Sequence, residues 1–302
     1  MIENARILVT GATGQVAFPI AAWLARSNDV WGAATLRDKA AADRLGNAGI
    51  EPVVMDLDAG DVDGLPEGID YVLHFAFTRG GADAFDRAMR VNGEGTGLVL
   101  QKCRDARAAL VISSAAIYSP NPDPWHAHAE DGELGRAFAP WSPTSPVTKV
   151  AEEAVARFAA RAFDLPVTIA RLNTVYGSPG NLPSIHIRQM EAGEQVILPN
   201  DPNNHSPIHV DDMCAQVESL LKAASVPATV VNWAGDEIVS AQHWCDAAAN
   251  ALGLTPDIAV MSGPGVAPSN IADVTKRRDI TGPCKVPFDE GLARLIDEHH
   301  RA

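Results

Sequence analysis

Short apolar runs alternate with longer amphipathic stretches along most of this chain. Ile7, Leu8 and Val9 make a β-branched-rich run of the kind found in strands buried on both faces. From Gln15 the pattern turns helical, with Val16, Ile20, Trp23 and Leu24 at helix spacing. Further strands are predicted over 30–36, 52–55, 71–75 and 110–114, with helical stretches over 39–48 and 82–106 between them. Val147, Val150, Ala151, Ala154, Val155, Phe158 and Ala162 then trace one stripe of a well-marked helix, and 167–170 reads as the next strand. This alternation predicts an α/β protein built on a doubly wound parallel sheet with helices on both faces.

Beyond about residue 180 the elements become shorter and less regular. The chain therefore reads as a dinucleotide-binding domain over 1–177 and a smaller, mainly substrate-binding lobe over 178–302, interleaved with further sheet elements. The stretch 115–146 is rich in proline and carries Trp125, Phe138 and Trp141. It is too long for a simple connector, which suggests a lid or binding loop.

The first candidate chemistry lies between the first strand and the first helix. Gly11 and Gly14 sit in a G-x-x-G-x-x-A pattern that ends at Ala17. Residues without a Cβ let the backbone turn tightly and approach a ligand closely. The free N–H groups of the helix start, with its dipole, favour a pyrophosphate, so Gly11, Thr13, Gly14, Gln15 and Val16 are candidate dinucleotide contacts in a Rossmann-type fold. In such sheets ligands gather at the carboxyl ends of strands, where Gly11, Arg37, Asp56, Ala76 and Ser114 fall. Arg37 closes the second strand, where an acid would bind the ribose 2′-hydroxyl of NAD. A guanidinium there favours the 2′-phosphate of NADP, so NADP(H) is the expected cofactor.

Composition narrows the partners. The chain has 302 residues, 46% hydrophobic and 21% charged, as in ordinary globular proteins. Its net charge of −14 argues against nucleic acid or an anionic membrane as the main partner. No apolar run is long enough to span a bilayer and no leader-like segment is evident, so a cytoplasmic location is expected. Cys103, Cys214, Cys245 and Cys284 are scattered without a C-x-x-C pair, which suits reduced thiols, and no metal-ligand spacing is present.

Taken together, Thr10-Gly-Ala-Thr-Gly14, Asp56-Leu57, His74-Phe-Ala76, Asn92, Ser113-Ser-Ala-Ala-Ile-Tyr118, Lys149 with Glu153, Arg171-Leu-Asn-Thr-Val-Tyr-Gly177 and His209-Val-Asp-Asp212 resemble the extended short-chain dehydrogenase/reductases. That group includes sugar-nucleotide epimerases and dehydratases. The resemblance implies that Asp56 and Leu57 contact the adenine and that Phe75, Ala76 and Phe77 line the phosphate–ribose channel. Asn173, Thr174 and Val175 would lie near the nicotinamide. Ser114 would hydrogen-bond a substrate carbonyl or hydroxyl, and Lys149 would hold the nicotinamide ribose.

Two positions depart from the family. Its acid–base tyrosine stands four residues before the lysine, one helical turn away, where an ammonium favours the phenolate. This chain has Ser145 there, and a serine hydroxyl is a poor general acid near neutral pH. Thr144, His126, His128 and Tyr176 are alternative proton sources near in sequence, and Ser145 itself could hold a hydrogen bond or a water relay. The second departure is His205, where sugar-nucleotide members carry an arginine that clamps the diphosphate.

The leading expectation is an NADP(H)-dependent oxidoreductase that transfers hydride between the nicotinamide and a non-nucleotide carbonyl or alcohol, with Ser114, Lys149 and Ser145 as the catalytic set. The alternatives are an epimerase or dehydratase that retains NAD(P), and a non-catalytic NADP sensor. The expected partner is a small-molecule substrate, and the family also forms homodimers through paired helices. The remaining charged segments read as ordinary surface. Lys276-Arg-Arg278 and Glu130, Asp131 and Glu133 are expected to be solvated, and Asp211 and Asp212 to start a helix.

Overall fold

The structure, a computed structural model, describes residues 2–35 and 39–301. Its main sheet has seven strands: β1 (Arg6–Thr10), β2 (Asp29–Ala34), β3 (Ile50–Val54), β4 (Tyr71–His74), β5 (Ala108–Ser114), β6 (Val167–Leu172) and β7 (Thr229–Trp233). Their order is β3-β2-β1-β4-β5-β6-β7, and the pairs from β3 through β5 run parallel. Chain order therefore reverses at β1, and the crevice between β1 and β4 is the topological switch point. In register there, Thr10 lies opposite both Ala33 of β2 and His74 of β4.

The helices fall where the sequence pattern places them, with one difference in buried face and two in extent. The helix Thr144–Ala162 buries Ser145, Thr148, Lys149, Glu152, Ala156, Ala159 and Ala160, while Val147, Ala154, Phe158 and Ala162 of the expected stripe are exposed, because the helix packs through short and polar side chains. Helix α1 (Ala17–Leu24) starts two residues later than Gln15, because the Gly14 amide bonds the Gly11 carbonyl at 2.8 Å and holds the turn open. Helix α2 (Lys39–Asn47) lies as expected, whereas the stretch expected as one helix over 82–106 is split into a short α3 (Phe85–Ala88), a π turn (Met89–Glu94) and α4 (Gly95–Lys102). A π turn inserts one residue into the helical ladder, and here it carries the fully buried Asn92. Arg37 lies outside the described residues.

The chain divides into two compact units. The first comprises Met1–Ser114, Trp141–Arg171 and Cys214–Val231, and the second Ala115–Pro140, Leu172–Met213 and Asn232–Ala302. In the first, Leu8, Val72, Ala109 and Val111 of the sheet pack with Val99 and Leu100 of α4 and with Ala156, Ala159 and Ala160 of α5 (Thr144–Ala162). The small alanines let α5 lie close to the sheet. In the second, Trp244 and Phe288 centre a core with Tyr176, Ile187, Leu292 and Leu295.

The segment 115–140 is sewn into the second unit. Ala127–His128 pairs in parallel with Ile271–Ala272, the Phe138 amide bonds the Gly265 carbonyl, and Asn204 Nδ2 donates to the Pro124 carbonyl. Tyr118 stacks on His128 with ring centroids 4.7 Å apart and donates its hydroxyl to Asn232 Oδ1 at 2.6 Å. His128 is consequently buried, and burial lowers its pKa to about 4. Glu130 accepts the Asn232 amide at 2.9 Å, which corrects the expectation of a wholly solvated acidic segment. Arg277, expected at the surface, is fully buried and paired with Asp236, and it also donates to the Gly282 carbonyl. Asp212 does more than begin its helix: its carboxylate accepts the amides of Lys285 and Val286, 73 and 74 residues away.

A buried, two-pronged ion pair joins α5 to β6. Arg171 Nε and Nη2 donate to the two Glu153 oxygens at 2.8 and 2.9 Å, and both residues are buried. Removing one partner strands the other charge in the interior. Arg171→Met is expected to destabilise the protein by about 3–5 kcal/mol, read from denaturant unfolding at pH 7. A loss below about 1 kcal/mol would show that the carboxylate is compensated some other way.

Candidate active site

The glycine turn rises directly from β1 at the switch point. The Gly11 and Ala12 amides both bond the Ala33 carbonyl, at 2.8 and 3.4 Å. Gly11 has φ of +65°, and a Cβ placed there would lie 2.9 Å from the backbone N and Cα of Ala76. No side chain fits, by conformation and by space alike. At Gly14 a Cβ would lie 3.0 Å from the Gly11 carbonyl oxygen. Helix α1 that follows has no side-chain cap and no acid in its first turn. Its leading amides thus face the turn uncompensated by the chain's own carboxylates, as a dinucleotide pyrophosphate requires. Thr13 and Val16 are half-buried, Gly14 and Gln15 are exposed, and Arg44 Nη1 donates to the Thr13 carbonyl with its guanidinium 3.7 Å from the Phe18 ring centre.

The other cofactor candidates of the first unit sit at the ends of β3 and β4. Asp56 folds an Asx turn, its Oδ1 accepting the amides of Asp58 and Ala59. The Leu57 side chain is buried in the core against Gly95, so any contact it makes with a ligand comes from its backbone. Phe75 is half-buried, Ala76 backs the Gly11 turn, and the Phe77 ring centre lies 4.2 Å from Lys149 Nζ.

Helix α5 presents Ser145 and Lys149 one turn apart, both buried. Ser145 Oγ lies 2.6 Å from Ser142 Oγ, so the two hydroxyls form a local pair. Lys149 Nζ donates to the Ile112 carbonyl of β5 and lies 2.7 Å from Glu152 Oε2. Ser114, at the end of β5, is half-buried, while Ser113 beside it is buried with its hydroxyl unpaired. The structure thus brings the turn, Ala76, Phe77, Ser114, Ser145 and Lys149 into one unit at the carboxyl end of the sheet. Sequence reading missed Glu152: its position three residues after Lys149 was visible, but an acid at helix spacing from a lysine ordinarily marks a solvated face. Tyr176 packs against His209 and Phe288, and burial pushes its pKa well above the ordinary phenol value, so it is no proton donor near neutral pH.

The remaining candidates lie in the second unit. Asn173 is spent on the fold: Oδ1 accepts the amides of Thr174 and Ser206, and Nδ2 donates to the Asn270 carbonyl. Val175 pairs with Ile208 in a short parallel ladder. Thr174 Oγ1 lies 2.7 Å from His205 Nδ1, and His205 Nε2 lies 3.0 Å from Asn203 Oδ1. Asn203 Nδ2 donates to the Pro268 carbonyl, which fixes Oδ1 as an acceptor. His205 Nε2 therefore carries the proton and Nδ1 accepts from the threonine. Burial holds its pKa down to about 3, and it packs on Trp244. This histidine is neutral and already fully hydrogen-bonded, so it is no substitute for a phosphate-clamping arginine.

The sequence profile of the NAD dependent epimerase/dehydratase family matches residues 7–233. No curated protein matches the chain. Among solved structures, it is similar to MoeE5 in complex with UDP-glucose and NAD, at 27% identity and a TM-score of 0.80, over 98% of this chain and 99% of that one. It is also similar to UDP-glucuronic acid 4-epimerase from Bacillus cereus (22% identity, TM-score 0.82, 98% and 99% covered). The dTDP-glucose 4,6-dehydratase from Bacillus anthracis str. Ames is similar as well (18% identity, TM-score 0.79, 98% and 97% covered). The latter two likenesses speak to the fold.

The cradle makes a direct prediction. Gly11→Ala combines a disfavoured φ with a backbone clash, and it should weaken NADH binding at least about tenfold in a fluorescence titration while lowering stability by about 1–3 kcal/mol. Unchanged affinity would place the nucleotide elsewhere.

Proposed function

The chain belongs to the NAD dependent epimerase/dehydratase family, and from that membership we propose that it is an NAD-using enzyme of epimerase or dehydratase type. In this reading the cofactor supplies reversible hydride acceptance, so that a substrate carbon is oxidised, the substrate rearranges, and reduction follows with no net consumption of cofactor. The observation that carries the cofactor assignment is the Cβ-free turn at Gly11, set against Ala76 at the β1/β4 switch point and followed by an uncapped helix start. The choice between this chemistry and net reduction rests on the family and on the full-length likeness to MoeE5.

This reading replaces the NADPH-consuming reductase as the leading one. The preference for NADP rested on Arg37, outside the described residues, whereas the 27%-identical MoeE5 was solved with NAD. NAD is accordingly the cofactor proposed. Gly11, Thr13, Gly14, Gln15 and Val16 would hold its pyrophosphate, Asp56 and Leu57 its adenine, and Phe75, Ala76, Phe77 and Lys149 its inner ribose and phosphates. Ser114 would hydrogen-bond the substrate oxygen, and the Ser142–Ser145 pair would at most pass a hydrogen bond towards it.

The substrate is where this chain parts from the neighbours solved with nucleotide sugars. A neutral, internally satisfied His205 offers no charge to a diphosphate. The substrate proposed is a small hydroxy or keto compound without a nucleoside diphosphate.

Denaturing the purified protein and assaying the released nucleotide tests this directly, together with NADH and NADPH titrations. Retained NAD, or NADH binding tighter than NADPH, is expected. Turnover of a sugar-like hydroxyketone should leave the reduced nicotinamide absorbance unchanged at completion, and UDP-glucose should not be a substrate. Stoichiometric oxidation of NADPH by a ketone would restore the reductase reading.

A further inference from the structure

The most unusual charge arrangement in the first unit lies behind Ser145. Lys149 and Glu152 stand three residues apart on one face of α5, and both are buried. Glu152 Oε2 is 2.7 Å from Nζ, and neither carboxylate oxygen has any other polar partner. A fully buried carboxylate with a single ammonium as its partner is costly in its charged form, and burial raises its pKa to about 7 against the charge and hydrogen bond of that lysine. The ammonium, for its part, is fixed on three sides by the Ile112 carbonyl, the Phe77 ring and Glu152.

The surroundings leave this pair to itself. On α5, Glu153 is held by Arg171 from β6, and the exposed Arg157 reaches only Glu153. On the elements packed against α5, Arg87 and Arg90 turn to Asp58, Lys102 to Glu67, and Glu94 is exposed. β5 has no ionisable side chain. His74 of β4 senses the lysine but is neutral, its pKa lowered to about 3 by burial and then by Lys149. Among the described residues, Glu152 therefore has one near counter-charge, Lys149, and one near like charge, Glu153.

We propose that Glu152 is a positioning residue that holds the Lys149 ammonium where a tyrosine phenolate would otherwise balance it, and that restores to Lys149 each proton the lysine gives up. When a substrate oxygen gains a proton, an N–H bond of Lys149 breaks and an O–H bond forms on the substrate. The carboxyl O–H of Glu152 then breaks, and the N–H of Lys149 re-forms. When a substrate hydroxyl is oxidised, the same proton returns along the reverse path, so the two half-reactions balance without another acid. This rests on Lys149 facing the cofactor, as proposed above.

Infrared titration of the full-length protein tests the pair without any substrate. A protonated-carboxyl band titrating near neutral pH is expected in the wild type. It should vanish in Glu152→Gln and move to higher pH in Lys149→Met, where the carboxyl loses its cation. A second consequence concerns stability. The folded pKa lies above the usual carboxyl value, so this group favours the fold below about pH 4.5 and that benefit is lost as pH rises through about 7. Unfolding midpoints of wild type and Glu152→Gln should therefore diverge across that window.

The functional arm uses the conversion found by the released-cofactor assay. Glu152→Gln should slow turnover at least about tenfold and remove the near-neutral inflection from its pH profile, while Glu152→Asp should retain the inflection. Absence of a titrating band between pH 5.5 and 8.5 (a range of about 3 units around the expected midpoint), or a band unmoved by Lys149→Met, would overturn the pairing. Wild-type rate and profile in Glu152→Gln would reduce the carboxyl to packing. If no nicotinamide binds, the functional reading fails while the infrared result still decides the pair.

Discussion

One buried hydrogen-bond chain aligns the glycine turn with the helix that carries Ser145 and Lys149. The Ala76 amide donates to Thr10 Oγ1, and that hydroxyl lies 2.9 Å from His74 Nδ1. His74 Nε2 lies 2.9 Å from Thr96 Oγ1, which donates in turn to the Asn92 carbonyl. Asn92 Nδ2 donates to Thr148 Oγ1, and Thr148 donates to the Thr144 carbonyl on α5. The directions are mutually determined. Thr96 gives its proton to a carbonyl, so it accepts from Nε2–H, and Nδ1 accepts from Thr10. A charged imidazole would place two donors against Thr10 and break the sequence, which agrees with a histidine held neutral by burial. The links before the last cross from one element to the next, so the turn, β4, the π turn and α5 are set by one another.

That chain also explains which parts of the fold were legible in advance. β1 and the glycine turn were readable because burial on both faces and a Cβ-free turn leave a local signature. On α5, by contrast, the apolar stripe did not mark the buried face, which is made of alanines and of polar residues such as Ser145, Lys149 and Glu152. The π turn was not readable, since Met89–Glu94 keeps nearly the same apolar spacing as a continuous helix, and only the side-chain bonds of Asn92 reward the extra residue. Arg277, His128 and Glu130 were misread for a related reason. Each is a polar residue whose surroundings come from other segments: Asp236 for Arg277, the stacked Tyr118 for His128, and Asn232 for Glu130. Periodicity carries no information about such pairings.

The site divides in the same way. The positions proposed to hold a nucleotide were legible because they require missing side chains or strand ends, and both are written locally. The positions that choose the chemistry were less so. His205 was recognised as a departure, yet its consequence came only with Thr174, Asn203 and Trp244 around it. An imidazole in water retains half its charge near its ordinary pKa, but one enclosed by a hydroxyl, an amide and an indole does not. The residue is thereby changed from a weak cation into a neutral spacer.

Ser145 and Glu152 are best understood together. A serine on a packed helix, where the resemblance implies a phenol, offers neither a useful acid near neutral pH nor a charge to balance a buried ammonium. A lysine left unpaired at such depth would shed its proton or pull in water. Here a carboxylate one turn further along the same face stands within ion-pair distance, and Ser145 closes on Ser142 rather than on the lysine. Near neutral pH desolvation lets the carboxyl exchange between the carboxylate, which balances the ammonium, and the protonated form, which can return a proton to it. A phenol beside a lysine is held near neutrality by the ammonium lowering a high pKa. A buried carboxyl beside a lysine reaches the same region from below, by desolvation raising a low one. Two opposite shifts thus lead to the same property, a proton that can be transferred near neutral pH.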